Sequence, residues 1–227
     1  MSELTGDVLV IGAGPAGIAS AYYLEKAGIP YTVVDRAQVI GSTWANLYPS
    51  LRLNTASYVS HLPGERFPLR YGIYATGRQF YEYLRRYVER RNFRILLSVE
   101  VRRVNPQDSG WCVETSIGSA WFPAVIVASG RFGKPYIPEI PGIDTTPCEV
   151  LNARDFSDAA PFVGKRVLVV GNGPSGVDIA LELVAAARVP VYLSIRSDIV
   201  VARRYPYGLP DSMWNLMARA FVPRRWR

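Results

Sequence analysis

Residues 8–35 run Val8-Leu-Val-Ile11, Gly12-Ala-Gly14-Pro15-Ala16-Gly17, an alanine-rich stretch to Ala27-Gly28, and Tyr31-Thr-Val-Val-Asp35. The order reads as buried strand, glycine turn, helix, turn, second strand and terminal acid. Gly12 permits the tight turn out of the strand. Gly14 has no side chain, so a pyrophosphate can approach the backbone, and Gly17 lets the helix lie close on the strands. The free N–H groups at the start of the helix then face the phosphates, and the helix dipole adds ~0.3–1 kcal/mol per charge. Asp35 falls where a carboxylate can accept both ribose hydroxyls of an adenosine. A bare glycine triplet is weak, but in this full register it predicts a dinucleotide site.

The second half of the chain repeats the pattern. Arg166-Val-Leu-Val-Val170 reads as a strand and Gly171-Asn-Gly173-Pro174-Ser175-Gly176 as a second phosphate turn. Val177 to Ala187 reads as a helix and Val191-Tyr-Leu-Ser-Ile195 as a strand. Two such units in one chain are far more specific than either alone. The copies differ at one informative place. Aligned on Pro30 and Pro190, Asp35 corresponds to Ile195 and Arg36 to Arg196. The second site therefore lacks the carboxylate, which would repel a 2′-phosphate, and keeps a guanidinium, which can pair with one. Such a charge-assisted bond contributes ~1.5–3 kcal/mol. The expectation is FAD at the first site and NADPH, rather than NADH, at the second.

The bulk numbers agree with this reading. A chain of 227 residues, 49% hydrophobic and 20% charged, can bury a sizeable core. No apolar run is long enough to span a bilayer, and the N-terminus, with Glu3 and Asp7, has no basic segment of a signal peptide. A cytoplasmic location without membrane association is expected. The net charge of +7 raises the question of a nucleic-acid partner. The arginines are scattered rather than striped, apart from Arg85-Arg86, Arg90-Arg91, Arg203-Arg204 and Arg224-Arg225, so none is expected. Cys112 and Cys148 stand alone, which argues against a redox disulfide and a zinc site; both are expected to be buried or semi-buried. His61 is the single histidine, so neither a histidine metal site nor a Ser-His-Asp triad is expected.

Between the glycine turns, Gly41-Ser-Thr43-Trp44 signals a loop, and Leu51-Arg-Leu-Asn54-Thr55 a short strand or extended segment. Thr76 to Arg91 is helical in period, with Phe80, Tyr83, Leu84, Tyr87 and Val88 on one face as core. Phe93 to Phe122 reads as a β-meander: one strand through Val99, Val101 and Val104, a turn at Asn105 to Gly110, a second strand from Trp111, and a third at Ala120-Trp-Phe. Ala124 to Ala128 is a short buried strand. It runs into Ser129-Gly130 and the proline-spaced Pro135, Pro138 and Pro141-Gly142, which prefer a stiff, extended connector. The fold class is thus α/β: two Rossmann-like βαβ domains with parallel sheets and an inserted β-meander. Residues 1–145 would form the first domain and 146–227 the second.

Together these residues resemble the flavin-containing monooxygenases of the two-dinucleotide-domain type, including plant YUCCA-like enzymes and bacterial homologues. Four matches carry the resemblance: the turn Gly12 to Gly17, the Gly41-Ser-Thr43-Trp44 loop, the Ala128-Ser-Gly130 to Pro141-Gly142 connector, and the turn Gly171 to Gly176. The resemblance implies that NADPH reduces FAD and that reduced flavin traps O₂ as a C4a-hydroperoxide, which passes one oxygen to a small organic substrate. It places Asn54 beside the flavin and nicotinamide as the catalytic amide, with Thr55 next to it. It also places the backbone of Val101 against the adenine of FAD, and Arg36, Thr43, Trp44 and Gly130 around the flavin nucleotide.

Two departures stand out. The family fingerprint Phe-x-Gly-x-x-x-His and its following aromatic should fall at Thr146 to Phe156, where Thr146, Cys148 and Asn152 stand and Phe156 is retained. The family also returns from the NADPH domain to finish the FAD domain with a second Ala-Thr-Gly segment, and none is present. Two readings stay open: an FAD- and NADPH-dependent monooxygenase, or the N-terminal part of one, whose FAD domain a second chain or a further C-terminal segment would complete; and a non-oxygenating protein, either a dinucleotide-binding remnant or a subunit completed by another chain. A disulfide reductase of the same build would need a Cys-x-x-Cys pair. The apolar Leu216, Met217, Ala220 and Phe221 within Trp214 to Trp226 recur at helical spacing.

Overall fold

The computed structural model describes residues 4–131, 133, 135–187, 190–196, 205, 209–210 and 213–214. The chain divides into two compact units. One comprises residues up to Leu47, His61–Phe67 and Arg78–Pro135; the other comprises Tyr48–Ser60, Pro68–Gly77 and the residues from Tyr136 onward.

The first unit is organised by β1 (Val8–Ile11), which is entirely apolar and leads through the glycine turn into α1 (Pro15–Lys26). β2 (Tyr31–Val34) returns beside it. A single turn, α2 (Ser42–Ala45), follows with Gly41 in the left-handed conformation at its start, where a loop was expected. Then come α3 (Gly77–Glu89), which begins at the last residue of the second unit's share, and β3 (Ile95–Leu96). The meander is β4 (Val101–Gln107), β5 (Gly110–Thr115) and β6 (Gly118–Phe122), and β7 (Ala124–Val127) closes the unit.

β3, β2, β1 and β7 form one parallel sheet in that order. Val8 is opposite Tyr31 on one side and Ala124 on the other. Parallel sheets are covered on both faces and read as continuous apolar runs, which is why Leu9 and Val10 are fully buried. Leu9, Val34, Val99, Val113 and Phe122 join sheet and meander in one core. The meander differs from expectation in its bounds, β4 beginning only at Val101, after Val99, and β6 already at Gly118. Ile95–Leu96 belongs to the parallel sheet, and the expected turn at Asn105 to Gly110 contracts to Asp108 and Ser109, with Gln107 paired to Gly110 and Asp108 at φ 51°. Pro106 is tolerated inside β4 because β4 is an edge strand, where a missing N–H breaks no ladder on its outer side.

The helical stripe is core. Phe80, Tyr83, Leu84 and Tyr87 are buried and Val88 is half-buried. The rings of Phe67 and Tyr83 meet edge to face at 4.4 Å, and those of Trp44 and Phe80 at 4.3 Å. Tyr83 donates its hydroxyl hydrogen to the Glu65 carbonyl at 2.6 Å and accepts from the Leu62 amide at 2.8 Å, while Tyr87 donates to the Pro63 carbonyl at 2.7 Å. Burial pushes both phenols up to about 12. Arg91 lies 3.7 Å over the Tyr87 ring and pairs with Glu65, as does Arg90.

The second unit holds the repeat: β8 (Val167–Val170), α4 (Pro174–Ala187) and β9 (Val191–Ser194), with β8 and β9 parallel and Val167 opposite Val191. Its core gathers Tyr48, Phe156, Ala159, Ile179 and Leu183, against which Leu51, Phe162, Val167, Val169 and Val191 pack. The expected extended segment at Leu51 to Thr55 makes one isolated antiparallel bridge, Arg52 to Thr76. Residues 215–227, with the expected apolar stripe at Leu216 to Phe221, lie outside the described residues, as do Arg203-Arg204 and Arg224-Arg225. No helix of the described residues is long and apolar enough to cross a membrane.

Candidate functional site

In the first unit the turn sits where β1 meets the amino end of α1. Gly12 has φ 112°, and a Cβ there would lie 2.4 Å from the Ala128 carbonyl oxygen at the end of β7. A Cβ on Gly17 would lie 1.8 Å from the Gly12 carbonyl oxygen, so only glycine lets α1 approach. Gly14 faces open space, nothing coming within 4 Å of its missing Cβ. It caps α1 without a side chain, and Pro15 takes the first helical position, where its absent N–H costs nothing. The amides of Ala16 and Gly17 belong to the first turn, which has no partner within the helix, and are presented for an anion.

Asp35 is wired into this turn. One carboxylate oxygen accepts from the Ala13 amide at 2.7 Å, and the other from the Ala37 amide at 2.8 Å. A carboxylate has about four acceptor positions, so two remain for a pair of hydroxyls. The Val99 amide donates to the Asp35 carbonyl at 2.9 Å, drawing the start of the meander, and with it Val101, toward the acid. Ala13 is also the anchor for the next loop: its carbonyl accepts from the Gly41 amide at 2.9 Å. The loop therefore hangs Thr43, exposed, and Trp44, half-buried, beside the glycine turn. Arg36 donates to the Gly133 carbonyl at 3.2 Å, and Gly130 adopts φ 81° just past β7.

The bonds of Ala13 to Asp35 and Gly41 thus bring Asp35 and the loop that carries Thr43 and Trp44 to the turn of Gly12, Gly14, Pro15, Ala16 and Gly17, while Arg36, next to Asp35, is bonded to Gly133. Gly130 follows two residues after Ala128, against which Gly12 packs. Ala13 and Ala128 act through backbone atoms, so their roles do not follow from residue type; the hints are the place of Ala13 between two required glycines and that of Ala128 at the start of the connector to Pro141-Gly142.

The second turn has the same build. Gly171 has φ 107°, and its amide donates to the Ser194 carbonyl at 2.9 Å, as Gly12 donates to Val34 at 2.7 Å. A Cβ on Gly176 would lie 2.4 Å from the Gly171 carbonyl oxygen, and Gly173 faces open space. Pro174 and Ser175 are exposed at the head of α4, and Arg196 is exposed two residues beyond β9.

Asn54 and Thr55 belong to the second unit and are exposed. The Thr55 hydroxyl shares a 2.5 Å hydrogen bond with that of Ser60, and Ser57 Oγ is buried with no hydrogen-bond partner. Tyr48, Ser50, Arg52, Asp178, Leu181 and Glu182 line a groove of about 310 Å³ in this unit. Burial, followed by the neighbouring Asp178, pushes the Tyr48 phenol up to about 12. In the fingerprint region Asn152 donates to the Tyr136 carbonyl and accepts from the Arg154 amide, and Phe156 is core. Of the thiols expected to be buried or semi-buried, Cys112 is half-buried, but Cys148 is exposed, on a bend where its amide donates to the Thr146 hydroxyl. No cluster of metal-ligating side chains occurs among the described residues.

Comparison with known proteins agrees with this geometry. The family model for pyridine nucleotide-disulphide oxidoreductases matches residues 9–207. The chain is 33% identical over 223 residues to the probable indole-3-pyruvate monooxygenase YUCCA9 of Arabidopsis thaliana, covering 95% of this chain and 53% of that protein. Its fold is similar to that of a flavin-containing monooxygenase from Stenotrophomonas maltophilia, with a TM-score of 0.81, 27% identity, and coverage of 96% of this chain and 68% of the other. It is also similar to OTEMO, solved in complex with FAD and NADP, with a TM-score of 0.66, 25% identity and coverage of 85% and 39%. The chain spans about half the length of the curated relatives it matches. On the family match over residues 9–207 and these relatives, the chain belongs to the pyridine nucleotide-disulphide oxidoreductase family, among its flavin-containing monooxygenases.

Proposed function

We propose that the chain carries FAD on the first glycine turn and NADPH on the second, as part of a monooxygenase that puts one atom of O₂ into a small organic substrate. Residues 1–145 would carry the flavin and residues 146–227 the nicotinamide nucleotide. The observation that carries this reading is the pair of open cradles, Gly14 and Gly173, each at the head of a helix and differing at Asp35 against Ile195. The first cradle suits FAD: its helix start takes the pyrophosphate, and Asp35, already oriented by the Ala13 and Ala37 amides, takes the adenosine ribose. Val101 would face the adenine. The second suits a 2′-phosphorylated nucleotide, with Gly171, Gly173, Pro174, Ser175 and Gly176 around the pyrophosphate and Arg196 on the 2′-phosphate.

When bound, flavin supplies the redox and oxygen chemistry. The protein's own work is to hold both nucleotides, to keep water from the reacting atoms, and to offer the Asn54 amide, which can donate and accept at once. A further stretch of polypeptide or a second chain would complete the flavin domain, as the greater length of the relatives supports. A cytoplasmic location and the absence of a nucleic-acid partner belong to the same proposal.

The test is purification of the chain. A yellow protein whose flavin absorbance bleaches with NADPH and recovers with O₂, with oxygenated product or peroxide released, is the expected result. A colourless protein unaffected by NADPH would instead favour a nucleotide-binding subunit with no activity of its own.

A further inference from the structure

The segment that carries Asn54 is fastened to the helix that starts at the second glycine turn. The fastening residues precede Asn54 by six and four positions. Tyr48 is 6% exposed; its ring meets Phe156 edge to face at 5.7 Å, and its hydroxyl lies 3.5 Å from Asp178 Oδ2. Ser50 donates to Glu182 Oε2. Leu51 packs into the core that holds Ile179 and Leu183. Asp178 and Glu182 are four residues apart, so they present one face of α4 to the segment. Beyond that anchor the segment is braced along its length. The Leu53 amide donates to the Ala75 carbonyl at 2.9 Å, the Ser57 amide to the Ile73 carbonyl at 2.6 Å, and the Gly77 amide to the Leu51 carbonyl at 2.8 Å.

Resting on the nucleotide reading above, we propose that Tyr48 and Ser50 are positioning residues, which tie the Asn54 segment to α4 so that nucleotide bound at Gly171 to Gly176 orders Asn54. The chemistry supports a tie through packing and acceptor oxygens rather than through charge. The 3.5 Å approach to Asp178 is long for a hydroxyl bond, so the buried Tyr48 ring and Leu51 hold the segment laterally, while Ser50 fixes its register on the helix. Ordering at the head of α4 passes to residues 52–57 because the same helix carries both the glycine turn and the two acceptors.

The test is amide hydrogen exchange on the chain, read at residues 52–57, 171–177 and, as a control, 8–13, with and without NADPH. Tyr48→Ala/Ser50→Ala is expected to speed exchange at 52–57 about tenfold and leave 8–13 unchanged. Tyr48→Phe/Ser50→Ala keeps the ring and tests the polar bonds alone, with a several-fold rise expected. Asp178→Asn/Glu182→Gln keeps both acceptors and is expected to match the parent. NADPH is expected to protect 52–57 in the parent and not in Tyr48→Ala/Ser50→Ala, while protecting 171–177 in both.

Unchanged exchange at 52–57 in both anchor variants would overturn the proposal. So would a rise at 52–57 by the same factor with and without NADPH, which is what a purely structural contact gives. If NADPH protects 171–177 in no protein, the nucleotide reading fails, and the exchange without nucleotide decides whether the anchor itself exists.

Discussion

The two glycine turns have nearly the same backbone and very different surroundings. Gly12 and Gly171 sit at φ 112° and 107°, and each donates its amide to the end of the neighbouring strand. Around Gly12 the sheet continues on both sides, so a Cβ would strike the Ala128 carbonyl. A Cβ on Gly171 would meet nothing within 4 Å, because among the described residues β8 is paired with β9 alone. The strands show the same contrast. Leu9 and Val10 are fully buried, whereas Leu168 and Val170 are 61% and 60% exposed on the face of β8 turned away from the core. The turn geometry is therefore a property of the local sequence, set by three glycines and a helix start. Burial of the strand that delivers it depends on what lies beside the strand.

The largest expected break in the comparison comes from alanine at the first glycine of each turn. Both substitutions incur the strain of a positive φ, ~1–3 kcal/mol. Gly12→Ala adds overpacking against a backbone carbonyl, which costs a further ~1–3 kcal/mol. Urea unfolding should show Gly12→Ala to be the more destabilised by about that margin, and equal losses would mean that the Ala128 contact is unimportant.

Next comes the difference between Asp35 and Arg196. Arg196→Ala should weaken NADPH about tenfold, worth about 1.4 kcal/mol, and leave NADH nearly unchanged. Equal losses for both nucleotides in a fluorescence titration would remove Arg196 from the 2′-phosphate.

The smallest effect concerns the phenols. Tyr83 and Tyr87 in the first unit and Tyr48 in the second hold their protons up to about 12, against 10.0 for an unperturbed tyrosine. The folded chain then binds more protons than the unfolded chain between pH 10 and 12. Stability from this source is complete below pH 10 and is lost as pH rises through that window. A thermal melting point that is flat to pH 10 and falls by pH 12 is expected, and one that rises across the window would contradict the burial of these hydroxyls.

How much of this was legible in the sequence follows from which atoms carry it. Both βαβ units, the aromatic core face of α3 and the meander could be read because side chains at periodic positions encode them. The turn expected at Asn105 to Gly110 contracts to Asp108-Ser109, because β4 is an edge strand and so carries Pro106 within it. Ala13 and Ala128, which help to shape the first cradle, act through backbone groups, so their contacts with Asp35 and Gly12 could not be read from residue type. The attachment of the Asn54 segment to α4 joins residues 48–51 to 178–182, a long-range pairing that no local pattern announces. The open face of Leu168 and Val170 could not be inferred either, since an apolar parallel strand reads the same whether or not it is covered.

The central claim is that two separate cradles take two different dinucleotides. Calorimetric titration of Gly14→Ala and Gly173→Ala with FAD and with NADPH tests it most directly. Both positions face open space, so each substitution should leave the fold intact and place a methyl where a pyrophosphate must pass. Gly14→Ala should lose about two decades in FAD affinity, on the order of 2.7 kcal/mol, and keep NADPH; Gly173→Ala should do the reverse. Loss of both ligands by either variant, or of neither by both, would contradict the account.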